Sequence, residues 1–272
     1  MSADSFDRKG HSAAADSTAL VHANSPSGRA AGLLNPPIHR ASTIVYDRVE
    51  DYLDRHKHLY DGVIYGLYGT ETNHTLASSL AELEHGHMSV LTSSGTAAIS
   101  ISLSAFLRSG DHLLVIDTAY RSTRRFCDDV LACYGVEVTY FSPGIGAEIA
   151  ALIRPNTRMV FLETPGSLTF ELADVRAITM VTRPRGIVTA LDNTWATPLL
   201  FRPIDHGVDI SIASATKYLS GHSDVMLGAM TGANEAIYRQ LKDTAARWGS
   251  SASPDDCYLV QRGLRTLDVR LD

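Results

Sequence analysis

The stretch DISIASATKYLSGHSD, Asp209 to Asp224, decides the fold and the chemistry of this chain. A run of small and apolar residues leads into two hydroxyl side chains, Ser214 and Thr216, with Lys217 directly after them. We expect this lysine to follow a buried strand and to be buried itself, because burial and nearby positive charge make an amine a better nucleophile. The hydroxyls beside it are suited to holding a phosphate.

A carboxylate follows another apolar run in the same way. Asp192 lies in LDNTW, upstream of the lysine segment. An amine that captures an aldehyde and a carboxylate that pairs with a pyridine nitrogen are the two groups that pyridoxal phosphate needs. Lys217 and Asp192 therefore predict a site for pyridoxal 5'-phosphate. The alternative for Asp192 is a turn cap before Asn193 and Thr194.

Apolar runs alternate with helical patterns along most of the chain. The runs predicted as strands are SVLTSS, HLLVIDT, VEVTYFS, MVFLETP and GIVTALDN. They are apolar throughout, which is typical of strands covered on both faces. Helices are predicted around 122–134 and 175–182, and ASTIVYD at 41–47 is a further strand-like run. The alternation predicts an α/β fold with a mainly parallel sheet flanked by helices.

Further polar groups follow the predicted strands, where ligands collect in doubly wound sheets. Gly95 and Thr96 open a helix of small residues whose free N–H groups favour an anion, although Ser94 before them could be an ordinary N-cap. Tyr120 suits stacking on a pyridine ring, with a core aromatic as the alternative. Tyr65 lies in the glycine-rich IYGLYGTET, where hydrogen bonding to phosphate competes with plain turn structure.

The bulk properties exclude several classes of function. The chain has 272 residues and a net charge of −6, which argues against nucleic acid or an anionic membrane as a partner. No apolar run approaches the roughly 20 residues that a membrane span needs, and the first residues lack the apolar region of a secretory signal. The cysteines and histidines lack metal-binding spacing, so no metal site is predicted. We expect a soluble cytoplasmic protein.

The sequence resembles the Cys/Met-metabolism family of pyridoxal-phosphate enzymes, which has fold type I. The run from Asp209 through Lys217 to Ser223 matches the lysine signature of that family. Within the family it is most similar to the branch of bacterial cystathionine β-lyases. The segments that carry this likeness are YGLYGTET, TAYRSTRRFCDDVL, FLETPGSLTFE, LDNTWATPLLF and QRGLRTLDVRL.

The resemblance implies a role for each matched position. Lys217 would hold the cofactor and move the Cα proton, Asp192 would pair with the pyridine nitrogen, and Tyr120 would stack on the ring. The implied phosphate ligands are Gly95, Thr96, Ser214 and Thr216, with Tyr65 reaching the phosphate of a neighbouring subunit. That last role implies a homo-oligomer, a dimer or a tetramer. One departure is Leu67, which stands where family members usually carry a further phosphate-binding arginine.

The implied activity is cleavage of the thioether amino acid cystathionine to homocysteine, pyruvate and ammonia, a step of trans-sulfuration in methionine biosynthesis. A γ-lyase or γ-synthase reaction would use the same residues, and a non-catalytic cofactor-binding remnant is the other alternative.

The resemblance also divides the chain. Residues 1–60 would be an N-terminal arm that contacts another subunit, 61–255 the cofactor-binding domain, and 256–272 the start of a C-terminal domain. Family members continue well beyond Asp272, in a domain that carries the arginine for the substrate α-carboxylate. The segment LRTLDVRLD is predicted as the start of a long helix. For this chain alone we therefore expect poor turnover.

Overall fold

A seven-stranded sheet forms the centre of the molecule in a computed structural model that describes residues 20–21 and 35–272. The rest of the predicted N-terminal arm, 1–19 and 22–34, lies outside the described residues. The strands are β1 (Met88–Thr92), β2 (His112–Ile116), β3 (Glu137–Phe141), β4 (Thr157–Glu163), β5 (Val188–Asp192), β6 (Ile210–Ser214) and β7 (Gly228–Gly232). Their order across the sheet is β1-β7-β6-β5-β4-β2-β3.

The sheet is mainly parallel, as the sequence predicts. Strands β2 to β6 run parallel, and β7 is antiparallel to both of its neighbours, β6 and β1. The centre of β4 is fully buried, with Met159 to Leu162 all at 0% exposure. Strands covered on both faces are apolar throughout because neither face meets water. The α/β prediction is confirmed, while β7 was not predicted from the sequence.

Helices cover the sheet and connect its strands. They are α1 (Val49–Asp54), α2 (Glu71–Leu83), α3 (Gly95–Phe106), α4 (Arg121–Arg125), α5 (Val175–Thr182), α6 (Thr197–Leu200), α7 (Glu235–Arg247), α8 (Pro254–Leu264) and α9 (Leu267–Leu271). Helix α4 continues into a π-helical turn at Phe126–Leu131, so the helix predicted around 122–134 is present. The helix predicted at 175–182 is α5.

The last two helices pack against the lysine segment. Leu264 and Leu267 are fully buried in a cluster that includes Leu219 and Leu227, which lie on either side of the turn after Lys217. Leu76 of α2 closes the same cluster. Since α8 and α9 share this core with the lysine turn, their packing helps to hold the turn in place.

Two local predictions are wrong. ASTIVYD at 41–47 forms no strand, and Val45 is 87% exposed. A β-branched run becomes a strand only where a neighbouring strand takes up its backbone groups, and here Ser42 O accepts from Gly66 N in a loop instead. LRTLDVRLD is not one long helix, because α8 ends at Leu264 and α9 begins at Leu267. None of the helices in 20–21 and 35–272 has the length and hydrophobicity to cross a membrane.

Candidate active site

The carboxyl ends of β4, β5 and β6 and the start of α3 enclose a cavity of about 250 Å³. Every predicted site residue except Tyr65 lines it. The lining residues are Ser94, Gly95, Thr96, Ile99, Tyr120, Glu163, Asp192, Thr194, Ser214, Thr216, Lys217 and Met226. A larger cavity of about 1220 Å³ adjoins it and shares Lys217, Asp192 and Glu163 with it. We call these the small and the large cavity.

Lys217 stands where the two cavities meet. Its backbone is fixed in a turn after β6, because Lys217 N donates to Ser214 O at 3.0 Å and Gly221 N donates to Lys217 O at 2.8 Å. The strand before it is buried as predicted, but the expectation that Lys217 itself is buried is wrong, since its side chain is exposed. The residue lies just past the strand end, where it faces the open cavities. An accessible amine on a rigid turn is suited to capturing a small molecule.

Asp192 is a buried carboxyl group at the end of β5. It is 8% exposed, and its Oδ1 accepts from Thr194 N at 3.0 Å, so the turn-cap role is present. Burial raises the pKa of Asp192. Among the described residues it has no ion-pair partner within 4.0 Å. A protonated pyridine nitrogen would supply the missing positive charge, so Asp192 fits the ring of pyridoxal phosphate.

Glu163 is a site residue that the sequence did not single out. It ends β4 in register with Asp192 on β5, and it lines both cavities. Its Oε2 accepts the backbone N–H of Tyr120 at 2.6 Å. Burial first, and then the charge of Asp192, raise the pKa of Glu163 to about 8. The sequence shows an acidic residue after an apolar strand, but it does not show that β4 and β5 are neighbours.

The start of α3 lies directly on the end of β6. Ser94 is the N-cap of α3 and accepts from Ala97 N at 3.1 Å, so the ordinary N-cap role is present. A Cβ on Gly95 would lie 2.6 Å from Ser214 Cβ, so only glycine allows this approach. The helix N-terminus therefore opens into the small cavity beside Ser214, where its N–H groups favour an anion such as phosphate.

Thr216 differs from the other predicted phosphate ligands. Its hydroxyl donates to Leu227 O at 3.2 Å and accepts from Leu227 N at 3.1 Å. These bonds link Thr216, the residue before Lys217, to the backbone of Leu227, which directly precedes β7. Donation to a phosphate would require the hydroxyl proton to turn away from Leu227 O.

The two tyrosines lie in different places. Tyr120 precedes α4, and its half-exposed side chain lines the small cavity. Tyr65 is also half exposed but lines neither the small nor the large cavity. Leu67 lies in the turn after Tyr65 and lines a separate cavity of about 40 Å³. The role of Tyr65 toward a neighbouring subunit stays a prediction.

A parallel sheet with a lysine and a buried carboxylate at neighbouring strand ends, beside a helix N-terminus, places this chain in the class of fold type I pyridoxal-phosphate proteins. Residues 17–272 match the family model described as Cys/Met metabolism PLP-dependent enzyme. The chain belongs to this family, whose cofactor is pyridoxal phosphate.

Relatives within the family are similar over most of this chain. A putative cystathionine β-lyase of Rhizobium johnstonii is 44% identical over 255 residues, which cover 94% of this chain and 63% of that protein. The cystathionine β-lyase of Escherichia coli is 42% identical, over 93% of this chain and 65% of that protein. The chain thus spans about two thirds of the length of these relatives.

A solved structure from a different branch is also similar. The cystathionine γ-lyase of Lactobacillus plantarum, crystallised with L-serine, superposes with a TM-score of 0.86 at 31% identity, over 93% of this chain and 64% of that one. The fold alone therefore does not distinguish β from γ chemistry.

Proposed function

We propose that this chain is a pyridoxal-phosphate-dependent carbon–sulfur β-lyase that cleaves cystathionine, with one water, to homocysteine, pyruvate and ammonia. The observation that carries the proposal is the meeting of Lys217 and Asp192 in one cavity at neighbouring strand ends. The preference for β over γ chemistry is supported by relatives named cystathionine β-lyase at more than 40% identity. We place the reaction in trans-sulfuration and the protein in the cytoplasm.

Residues of the small cavity are assigned separate roles in binding or catalysis. When bound, pyridoxal phosphate supplies an aldehyde for the substrate amine and a ring that takes up the electrons left by the Cα proton. Lys217 Nζ would hold the cofactor until the substrate amine displaces it, and the freed amine would then accept the Cα proton, as its position between the two cavities allows. The carboxylate of Asp192 would keep the ring nitrogen protonated, and the Tyr120 side chain would stack on the ring.

We assign binding of the cofactor phosphate group to the start of α3. Gly95 and Thr96 offer backbone N–H groups and a hydroxyl, and Ser214 and Thr216 add hydroxyls from the lysine segment. Tyr65 would act on the phosphate of a neighbouring copy in a homo-oligomer. The large cavity, with exposed Phe170, Trp195 and Met226 in its lining, is proposed as the side from which the substrate enters.

The products of cystathionine separate the β-lyase from the alternatives. Incubation of the chain with pyridoxal phosphate and cystathionine is expected to release pyruvate and homocysteine slowly but in equal amounts, measured by mass spectrometry. Release of 2-oxobutyrate and cysteine would contradict the proposal and show a γ-lyase. No product from a chain that holds the cofactor would support the non-catalytic alternative.

A further inference from the structure

Glu163 has a backbone partner that is distant in sequence. The residue ends β4, whereas Tyr120 lies between β2 and α4, 43 positions away. At 2.6 Å, the bond from Tyr120 N to Glu163 Oε2 is short for an N–H donor. It joins the ends of β4 and β2, which are neighbours in the sheet.

Two backbone hydrogen bonds hold Tyr120 itself, because its N–H donates to Glu163 and its carbonyl oxygen accepts from Arg124 N at 3.2 Å. Tyr120 is the N-cap of α4, a helix of only five residues, and its own side chain makes no capping bond. Nearby, Ser167 N donates to Thr118 O at 2.9 Å, which fixes the loop two residues earlier. The Arg124 bond fixes the side of Tyr120 toward α4, and the Glu163 bond fixes its amide, so the direction of the Cα–Cβ bond and the place of the ring in the small cavity depend in part on Glu163.

We propose that Glu163 is a positioning residue, whose carboxyl group accepts the Tyr120 backbone N–H and so holds the Tyr120 ring beside the bound cofactor. The proposal rests on the stacking role of Tyr120 in the proposed function. In this role Glu163 lines the small cavity but does not act on the substrate. Such positioning strengthens cofactor binding, because a small displacement of the Tyr120 ring would weaken its stacking on the cofactor ring.

The bond itself does not require a charged carboxyl group. Burial and the neighbouring Asp192 raise the pKa of Glu163 to about 8, so near neutral pH the group can hold a proton and still accept through its other oxygen. A glutamine offers the same acceptor at the same distance, whereas an alanine offers none. Glutamine should therefore replace Glu163 if positioning is its role, and should fail if its negative charge is what the cofactor needs.

The first test compares Glu163→Gln and Glu163→Ala with the parent chain. We expect the alanine variant to bind pyridoxal phosphate about tenfold more weakly and to lose most of the induced circular dichroism of the bound cofactor. The glutamine variant should stay within about twofold of the parent. The matched control is Asp174→Ala, which removes an exposed carboxylate that also accepts a backbone N–H, from Ala177 at 2.9 Å. This control should leave both readouts unchanged.

A double-mutant cycle with Tyr120→Ala separates this proposal from the proposed function. If Glu163 acts through Tyr120, adding Glu163→Ala to Tyr120→Ala should change neither affinity nor dichroism further. Additive effects of the two changes, or a glutamine variant as weak as the alanine variant, would overturn the positioning role. A Tyr120→Ala variant with parental dichroism would instead overturn the stacking role, and a parent chain that takes up no cofactor would overturn both.

Discussion

Asp192 and Glu163 bring two carboxyl groups to neighbouring strand ends inside the protein. Burial raises the pKa of each, and for Glu163 the charge of Asp192 adds to the effect. Two such groups do not ionise independently, because the second charge must form beside the first. A cation beside Asp192 would stabilise its negative charge and reduce the repulsion between the two carboxylates. The pair is thus better suited to a site that binds a positively charged ring than to an empty core.

We predict that Asp192→Asn separates stability from cofactor binding. Asparagine can accept the Thr194 N–H but has no charge to pair with the ring nitrogen, so affinity for pyridoxal phosphate should fall about tenfold or more. The thermal unfolding midpoint of the cofactor-free chain should stay the same or rise, because a buried charge is removed. Absorbance titration and calorimetry measure the two quantities.

The exposed Asp174 provides the control for this change. Asp174→Asn should alter neither affinity nor the unfolding midpoint by much, since Asp174 is exposed and lines neither cavity. Parental affinity in Asp192→Asn would contradict the assignment of Asp192 to the ring nitrogen.

At the scale of elements, α8 packs against the lysine turn with no spare room. A Cβ on Gly263 of α8 would lie 2.3 Å from Ser220 O and 2.6 Å from Leu219 O. Both are backbone atoms of the turn that starts at Lys217, so they cannot rotate away. The side chain of Arg270 in α9 fastens the same turn by donating to Tyr218 O at 2.7 Å. The last helices therefore help to set the position of the lysine.

We predict that Gly263→Ala destabilises the chain. Alanine gains about 1 kcal/mol of helix propensity, but overpacking against backbone costs about 1–3 kcal/mol or more, and at 2.3 Å the clash dominates. Denaturant unfolding should show a net loss of free energy, with slower labelling of Lys217 by the cofactor. Gly144→Ala is the control, since a Cβ there meets nothing within 4 Å. Equal unfolding midpoints for the two variants would contradict this packing argument.

The sequence predicts those elements whose signal is local. The apolar strands and helix α5 were found because burial on both faces and helical periodicity are visible along the chain. Strand β7 was missed because GAMTG, with two glycines, lacks the β-branched pattern of a strand and is held by pairing on both sides. Glu163 was missed for a similar reason. Its partners, Asp192 and Tyr120, are brought to it by strand order, which local patterns do not give.

The stability of the whole molecule carries a pH dependence that Glu84 should influence strongly. Glu84 follows α2, is 3% exposed, and its Oε2 has no hydrogen-bond partner among the described residues. Burial raises its pKa to about 7 from an unfolded value of 4.5. The folded state therefore holds this proton more tightly than the unfolded chain does. The contribution of protonated Glu84 to stability is fully present below about pH 4.5 and is lost as the pH rises through about 7.

We predict that Glu84→Gln reduces the loss of stability between pH 5 and pH 8. Glutamine cannot ionise, so the variant should keep up to roughly 3 kcal/mol of unfolding free energy that the parent loses over this range. Urea unfolding at the two pH values measures the difference. The exposed Glu82→Gln, in the last turn of α2, serves as a control, since ionising a solvated carboxylate costs little. Parallel losses in parent and Glu84→Gln would show that Glu84 does not cause the pH dependence.

Borohydride reduction shows which lysine holds pyridoxal phosphate, because it fixes the bound cofactor to that side chain. The chain is mixed with the cofactor, reduced with borohydride, digested, and the labelled peptide is identified by mass spectrometry. We predict one label per chain on Lys217, no label in Lys217→Ala, and parental labelling in Lys57→Ala. A label on Lys9, Lys57 or Lys242 in place of Lys217, or none at all, would contradict the assignment of Lys217 as the residue that binds the cofactor.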